Sequence, residues 1–562
     1  MSRNRFRYLA AIGLLLLVGF LVRATSLDAQ SLWRDEVDAL RFATAPWTEM
    51  LNNFMRPGWN GPLYYLLLRG WIALTGTTEY SMRFFSLFFG VLCAPLVYVL
   101  GRRLFKSSVG VTSMLLILSS PYVVWYSQEV KMYTLVLALA LLAIYSLRRA
   151  LEGGSWLWWA TQIAATSLAF YSHVLAALLV LVQGLLCLAW WPQTQKRWRG
   201  ALVSLACLTL PYLPLAVWQA PLALQSRDTG FYPYSLGQMV TILLNGWATG
   251  VSGWGSPWGT ALLSVLAGVA LLNGLSGLIR SMGRGTLATL ARLPLPPIGI
   301  SQAMGDLASE RGEGSGEQPG WPTGDQTPLI LLIWLLVPLL CVWLISLRQP
   351  LFTDRYLIWS APAFYLLVAL SLISFATIRQ EMRWIVVPLL GAILVVNGVN
   401  LRQQAIKPIK SNFRAAAAYV ADHQAPSKSP PAAPSEGESL YTVHLPITAA
   451  GSQDFDDLII FQIPYGRYTF DYYFPIEEYP RGEGLYTNHR TPSGEYLLSE
   501  EQAGRQMRKL TRGHETVWLV ATEVPMWDER NLVQRWLDRH ALQTAKAHFH
   551  RVDVYRYEFP DR

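Results

Sequence analysis

Residues 126–150 read YSQEVKMYTLVLALALLAIYSLRRA, and this stretch indicates the kind of fold that the chain adopts. A polar and aromatic cluster comes first, an apolar run follows at 131–147, and Arg148 and Arg149 come after it. About 17 apolar residues are enough for a helix to cross the hydrocarbon core of a bilayer. The pattern predicts a membrane-spanning helix with a basic end. At its other end are ionisable groups, which are costly there unless they are paired or wetted.

The same apolar pattern recurs along the chain. Further runs of membrane length lie near 8–22, 81–101, 109–125, 156–172, 173–191, 201–218, 258–280, 328–347, 357–375 and 384–399. The composition is 52% hydrophobic and 15% charged, which excludes a secreted disulfide scaffold, a disordered tail and a coiled coil. The four cysteines lie inside apolar runs, so neither a disulfide framework nor a zinc site is indicated. The sequence therefore predicts an α-helical polytopic membrane protein with about 11 spans.

Arginine and lysine residues indicate how the spans are oriented. Basic clusters lie in alternate gaps between the runs, at Arg102/Arg103/Lys106, Arg148/Arg149, Lys196/Arg197/Arg199, Arg280/Arg284/Arg292 and Arg379/Arg383. Because basic residues stay on the cytoplasmic side, eleven spans with a cytoplasmic N-terminus place every cluster inside and the C-terminal segment outside. The net charge of +9 then reflects anchoring in the plasma (inner) membrane, and we expect no nucleic-acid partner.

Three segments depart from the pattern of spans. Residues 62–76 are apolar but reach only about 22 Å as a helix, so we expect a juxtamembrane or re-entrant helix within the first external loop, 23–80. Residues 281–326 are rich in Gly and Pro and predict a flexible cytoplasmic loop. Residues 401–562 predict a soluble extracytoplasmic α/β domain that follows a membrane unit of residues 1–400. Within this domain we predict helices at 413–423 and 531–540, strands at 516–520 and 552–555, and a loop at 425–438.

In this topology the unusual polar residues collect on the external side. The first external loop contains Trp33, Asp35 and Glu36. Neighbouring residues on a helix point about 100° apart, so the two carboxylates cannot face one small substrate in the same way. One could act as a general base while the other orients the loop. Both could equally form the solvated acidic start of a helix.

The other candidates also have two interpretations each. Glu129 and Lys131 could belong to a site, or to an interfacial belt of aromatic and snorkelling side chains. Arg355 could bind a lipid phosphate through its planar fork of donors, or form an ion pair with the preceding aspartate. Arg83 could be a membrane anchor or a phosphate contact, and His173 a boundary histidine with satisfied hydrogen bonds or a functional group.

Taken in order, these segments resemble the GT-C type glycosyltransferases of family 39, which include protein O-mannosyltransferases and aminoarabinose transferases. The matching stretches are Leu32–Glu36, Gly61–Leu68, Glu79–Phe84, Gly101–Phe105, Tyr126–Tyr133, Tyr171–His173 and Asp354–Leu357. The resemblance implies transfer of a sugar from a polyprenyl-phosphate donor to a lipid, glycan or protein acceptor on the extracytoplasmic face, with inversion. A polytopic transporter or lipid flippase is the alternative. Against it, no internal repeat is apparent and the candidate polar residues lie at one face.

The resemblance also implies roles for particular residues. The acidic residue of the family's first loop falls on Asp35, with Glu36 beside it, and its second acidic position falls on Glu129. We expect these three to be catalytic. We further expect the donor phosphate to be bound by Arg355, Lys131 and Arg83, and the substrates to contact His173, Tyr126 and Trp33. No cofactor is predicted, a divalent metal stays open, and membrane lipids are expected to surround the spans.

Overall fold

The computed structural model describes residues 3–54, 60–217, 231–251, 257–269, 272, 327–378, 383–423, 455–491 and 493–560. The predicted loops at 281–326 and 425–438 lie outside these residues.

The described chain up to residue 406 is helical, with short connections between the helices. The helices are α1 (Arg3–Ala24), α2 (Arg34–Thr44), α3 (Trp47–Phe54), α4 (Leu63–Thr75), α5 (Glu79–Leu104), α6 (Ser107–Ser119), α7 (Pro121–Ser127), α8 (Tyr133–Leu151), α9 (Trp156–Phe170), α10 (Leu178–Ala189), α11 (Trp191–Lys196), α12 (Trp198–Thr209), α13 (Leu236–Thr249), α14 (Pro257–Val269), α15 (Thr327–Ser346), α16 (Ala361–Ile378) and α17 (Arg383–Ile406). Short 3-10 helices lie at Val174–Ala177, Leu210–Tyr212 and Asp354–Ser360.

Each predicted apolar run overlaps a helix within the described residues, but fewer of these helices than predicted are long enough to cross a membrane. Among the described residues seven helices are long and apolar enough, or eight if α6 and α7 form one broken span. The predicted number of eleven is therefore not confirmed, because α9 and α10 are shorter than a full span and α14 has only 13 described residues. Helix α4 has 13 residues, in agreement with the prediction that 62–76 does not span.

A buried arginine stabilises the break between α6 and α7, which are bent by 60°. Pro121 has no N–H group, so the carbonyl of Ile117 loses its helical donor. Arg23 replaces that donor, since its Nη2 lies 3.1 Å from the oxygen of Ile117 and its Nη1 lies 3.1 Å from that of Leu118. Backbone polar groups within a bilayer need such partners, so Arg23 makes the break tolerable at this depth.

The two ends of the membrane unit differ in chemistry. Helix α5 has 26 residues, which correspond to about 39 Å, and it runs from Glu79 to the basic cluster that contains Arg103. Helix α8 runs in the same direction and ends at Arg148 and Arg149. At this basic end Arg103 and Arg148 both pair with Glu152, with Nε–Oε distances of 2.5 and 2.7 Å. The candidate site residues lie near the opposite ends of these two helices.

The described residues after 412 form a three-layer α/β domain. Its elements are α18 (Phe413–Asp422), β1 (Leu458–Phe461), α19 (Gly466–Asp471), β2 (Arg481–Glu483), α20 (Glu500–Leu510), β3 (Thr516–Ala521), α21 (Val524–Trp527), α22 (Leu532–His540), β4 (Leu542–Phe549) and β5 (Val552–Glu558). The strand order is β2-β1-β3-β5-β4, parallel from β2 to β3 and antiparallel at β5 and β4. The α18 and α19 helices cover one face, and α20 and α22 cover the other. The predicted α/β class, helices and strands are confirmed.

The α/β domain contacts the segments that precede α2 and begin α5 through several polar contacts. Ser31 Oγ donates to the backbone oxygen of Ser411 over 2.6 Å. The N–H of Leu32 donates to the hydroxyl of Tyr473 over 2.6 Å. In addition, Arg414 forms an ion pair with Glu79, at the start of α5. These bonds hold the domain over the end of the membrane unit that carries the candidate residues.

Candidate active site

Helix α2 positions two neighbouring carboxylates in different surroundings. Because α2 begins at Arg34, Asp35 and Glu36 lie in its first turn, where the helix dipole stabilises negative charge. Side chains on adjacent helical residues diverge by about 100°. As a result Asp35 lines a cavity, whereas Glu36 points into the protein and is 0% exposed.

Glu36 is surrounded by charged and backbone donors. Its Oε1 and Oε2 accept hydrogen bonds from Nε and Nη2 of Arg83, both over 2.8 Å. The Nζ of Lys410 donates to Oε2 over 2.9 Å, and the N–H of Val130 donates to Oε1 over 3.1 Å. Burial opposes ionisation, but the charges of Arg83 and Lys410 outweigh it and lower the pKa of Glu36 to about 2. We call Glu36, Arg83 and Lys410 the buried cluster.

Arg83 has no N–H group left for a phosphate. Beyond its two bonds to Glu36, it donates to the backbone oxygens of Leu27, Gln30 and Ser31 over 2.5, 2.7 and 3.1 Å. A guanidinium has about five N–H groups, and these acceptors use them all. The phosphate contact predicted for Arg83 and the catalytic role predicted for Glu36 stay predictions. In the structure both side chains brace the segment between α1 and α2.

A cavity of about 710 Å³ lies between the membrane unit and the α/β domain. On the membrane side its wall contains Trp33, Asp35, Lys131 and Arg355. The Nη2 of Arg355 lies 3.0 Å from Oδ2 of Asp35. The α/β domain supplies the opposite wall, with Tyr465, Thr469, Tyr486, Glu523, Met526 and Trp527. Four of the predicted site residues thus share one cavity.

The charges in this cavity favour an ionised carboxylate beside two cations. Burial raises the pKa of Asp35, but the positive charges of Lys131 and Arg355 hold it below its usual range. Burial also lowers the pKa of Lys131, yet nearby Tyr65 and Asp35 raise it above its usual value. Lys131 lines the cavity together with Asp35 and Arg355, so its ammonium group adds positive charge to this wall.

Glu129 is fully buried behind the cavity, and within the described part of the chain both of its carboxylate oxygens lack a hydrogen-bond partner. Burial raises its pKa to about 7, although the charge of Lys410 acts in the opposite direction. A carboxyl group with this pKa changes its charge within the physiological range. The structure does not place Glu129 on the cavity wall.

Tyr126 and His173 also lie behind the wall. The hydroxyl of Tyr126 donates to Oδ2 of Asp354 over 3.0 Å and so fixes the residue that precedes Arg355. The ring of His173 lies 4.8 Å from that of Tyr356, which lines the cavity. Burial and the nearby charge of Arg355 lower the pKa of His173 to about 3, so the imidazole is neutral at physiological pH.

Sequence reasoning missed Lys410 and every cavity residue of the α/β domain. Lys410 is 374 residues from Glu36, and its surroundings, IKPIKSN, look like the ordinary end of a span. Within the part of the chain that the structure covers, no group of three or more His, Cys, Asp or Glu side chains could hold a metal ion.

The buried cluster predicts a stability loss for Lys410→Met. This variant keeps most of the side-chain volume but removes a buried ionic partner of Glu36, which costs about 3–5 kcal/mol. We expect a lower thermal unfolding midpoint in detergent. Lys509→Met, which removes an exposed lysine of α20, is the matched control and should leave the midpoint unchanged. Equal midpoints for the two variants would contradict a role for Lys410 in holding Glu36.

The raised pKa of Glu129 predicts a pH-dependent difference in stability between the wild type and Glu129→Gln. Its pKa of about 7 in the folded protein exceeds the ordinary value of 4.5, so its contribution to stability is full below pH 4.5 and is lost as the pH rises to about 7. We expect Glu129→Gln to match the wild type near pH 5 and to be the more stable protein at pH 8. Unfolding midpoints across this range test the prediction, with exposed Glu501→Gln as control. A difference that does not change with pH would count against it.

Comparisons with known proteins agree with this architecture. Residues 57–218 match the family model described as dolichyl-phosphate-mannose-protein mannosyltransferase. No curated protein sequence gives a significant match. Among solved structures, apo ArnT from Cupriavidus metallidurans has a TM-score of 0.53 at 13% identity, with 98% of each chain covered. The same protein bound to undecaprenyl phosphate has a TM-score of 0.50 at 12% identity, covering 97% of this chain and 98% of that one.

An oligosaccharyltransferase from Archaeoglobus fulgidus has a TM-score of 0.50 at 13% identity, over 90% of this chain and 67% of that chain. At such identities these structures establish the fold alone. The chain therefore has a multi-pass membrane fold similar to that of ArnT and of the archaeal oligosaccharyltransferase, and its residues 57–218 are similar to the family described as dolichyl-phosphate-mannose-protein mannosyltransferase.

Proposed function

We propose that the chain transfers a sugar from a polyprenyl-phosphate donor to a hydroxyl group of an acceptor in the 710 Å³ cavity. The observation that carries this proposal is the ionised carboxylate of Asp35, 3.0 Å from Arg355 and close to Lys131 on one wall. A base beside two cations is what displacement of a phosphate by a hydroxyl group requires. The similarity of the fold to ArnT, which has been crystallised with undecaprenyl phosphate, supports a polyprenyl donor.

In the proposed reaction Asp35 is the general base. The acceptor oxygen attacks the anomeric carbon of the donor while its proton passes to the Asp35 carboxylate. The bond between the anomeric carbon and the phosphate oxygen breaks, and the phosphate leaves with the electron pair. Because attack and departure occur on opposite sides of the carbon, a single displacement inverts the anomeric configuration.

The cations stabilise the departing phosphate. Arg355 presents a planar fork of donors, which suits two phosphate oxygens, and Lys131 adds a point charge. In the ion pair, the side chain of Arg355 is 21% exposed and that of Asp35 is 26% exposed. A phosphate in the cavity can therefore bind the guanidinium group of Arg355 while Asp35 stays paired with it. Trp33 lies beneath this pair, with the Arg355 guanidinium carbon 5.4 Å from its ring centroid, and would contact the substrates.

The residues behind the wall act as positioning groups in this proposal. Glu36 and Arg83 fix the start of α2 and therefore the direction of Asp35. Tyr126 orients the segment that carries Arg355, and His173 packs against Tyr356. Glu129 acts electrostatically, since its charge is felt by Arg355 and Asp35.

We further propose that the cavity and the α/β domain face the extracytoplasmic side of the plasma (inner) membrane. The support is the placement of the basic clusters, which lie at the other ends of α5 and α8, as the preference of basic residues for the cytoplasm requires. The exposed apolar side chains of the helices would then contact membrane lipids.

Replacement of the base should abolish transfer without unfolding the protein. We expect Asp35→Asn to reduce transfer from a labelled polyprenyl-phosphate sugar by about 100-fold or more, which is the usual range for general base catalysis. Asp38→Asn is the matched control, because Asp38 lies on the same helix and also pairs with arginines but does not line the cavity. Full activity of Asp35→Asn, with donor and acceptor saturating, would exclude Asp35 as the base.

Cysteine labelling tests the orientation. In a cysteine-free background, Ser107→Cys at the basic end and Glu501→Cys on the α/β domain both place a thiol at an exposed position. A membrane-impermeant maleimide should label Glu501→Cys in intact spheroplasts, and Ser107→Cys only after the membrane is opened. Labelling of both thiols in intact spheroplasts would contradict the proposed orientation.

A further inference from the structure

We infer that the α/β domain supplies a binding subsite for a saccharide ring of the acceptor, formed by Tyr486, Trp527 and Glu523. This inference rests on the proposed function, since it assigns the acceptor to the half of the cavity that the donor phosphate does not use. The two walls of the cavity differ in chemistry. The charges suited to a phosphate lie on the membrane side, whereas the domain side presents aromatic rings and a single carboxylate.

The aromatic part of the subsite is a corner made by two rings. The ring centroids of Tyr486 and Trp527 lie 4.6 Å apart with an angle of 59° between the planes. Tyr486 is 37% exposed, and both residues line the cavity. A pyranose ring has a face of C–H groups that packs on an aromatic surface, while its hydroxyl groups point outward. Two tilted rings can therefore contact a sugar on one face and at one edge.

The carboxylate of Glu523 provides acceptors for the sugar hydroxyls. Its Oε2 accepts from the hydroxyl of Tyr465 over 3.2 Å, which leaves Oε1 without a hydrogen-bond partner among the described residues. Glu523 has a backbone φ of 46°, in the left-handed region that costs free energy for a residue with a Cβ atom. This conformation places Glu523 at the start of α21, beside the rings, and such strain is typical of functional positions.

The subsite is held in place by hydrogen bonds beneath it. The fully buried carboxylate of Asp528 accepts from Thr487 Oγ1 over 2.6 Å and from the N–H of Val533 over 2.9 Å. The N–H of Thr487 in turn donates to the backbone oxygen of Trp527 over 2.9 Å. These bonds join the loop that carries Tyr486 to α21, so the two rings keep their mutual position when the cavity is empty.

The subsite is also connected to the proposed base. The guanidinium of Arg34 lies 3.6 Å from the ring centroid of Tyr465, which is the hydrogen-bond donor to Glu523. Arg34 immediately precedes Asp35, and both line the cavity. A saccharide held against Tyr486 and Trp527 would thus occupy the same cavity as Asp35. This arrangement favours a glycan, or the sugar part of a glycolipid, as the acceptor.

Binding of simple glycosides tests the subsite without knowledge of the natural acceptor. The probes are the methyl glycosides of glucose, mannose, galactose and N-acetylglucosamine, measured by saturation-transfer NMR on the full-length protein in detergent. We expect at least one glycoside to bind to the wild type, and Trp527→Ala and Tyr486→Ala to lower its signal at least fivefold. Trp527→Phe keeps an aromatic face and should retain most of the signal. Tyr496→Ala, an aromatic deletion in the same domain outside the cavity, should leave binding unchanged.

Two further measurements distinguish this inference from the proposed function. Farnesyl phosphate as a donor-phosphate probe should leave glycoside binding intact, because it would occupy Arg355 and Lys131. Loss of transfer in Asp35→Asn tests the base, whereas the glycoside signal of the wild type and of the Trp527 and Tyr486 variants tests the subsite. The inference is overturned if no glycoside binds, if Trp527→Ala and Tyr496→Ala behave alike, or if farnesyl phosphate displaces the glycoside. Unfolding midpoints near the wild-type value ensure that the variants are folded.

Discussion

The buried carboxylate of Glu36 is the constraint on which the rest of the site depends. A charge without water is tolerated only when its partners surround it, and Glu36 obtains them from three distant parts of the chain. Arg83 comes from α5, the N–H of Val130 from the connection between α7 and α8, and Lys410 from the connection to the α/β domain. Once this carboxylate is fixed, helix geometry turns Asp35 toward the cavity. The ion-paired side chain of Glu36 thus determines the direction in which the side chain of Asp35 points.

The electrostatics of the site follow from this arrangement. Four cations, Arg83, Lys410, Arg355 and Lys131, surround the carboxylates of Asp35 and Glu36. An anion in the cavity would meet Arg355 and Lys131, which line its wall. Glu129 responds to the same balance, because its burial alone favours the neutral acid and the nearby cations favour the charged one. The charge on Glu129 is therefore sensitive to whether a phosphate is bound beside Arg355.

The sequence predicts the features that depend on local pattern. The apolar runs locate the helices, and the arginine and lysine residues between the runs locate the basic ends of the helices. The 100° step between neighbouring helical residues predicts that Asp35 and Glu36 point in different directions. The number of full spans does not follow from the runs, because breaks such as the one at Pro121 shorten the helices. Lys410 and Trp527 could not be identified, since neither has a distinctive neighbourhood and only the tertiary fold brings them to the site.

The buried cluster also limits how substrates can reach the cavity. The α/β domain forms one wall, so the simplest opening would lift the domain from the membrane unit. That motion would separate Lys410 from Glu36, whose side chains are 4% and 0% exposed, and would leave a carboxylate with one of its two cations removed. It would also break the pair between Arg414 and Glu79. Because losing a buried ionic partner costs several kcal/mol, we expect the domain to remain seated while substrates bind. The lipid donor would then approach from the side of the membrane unit, and the acceptor along the surface of the domain that carries Tyr486 and Trp527.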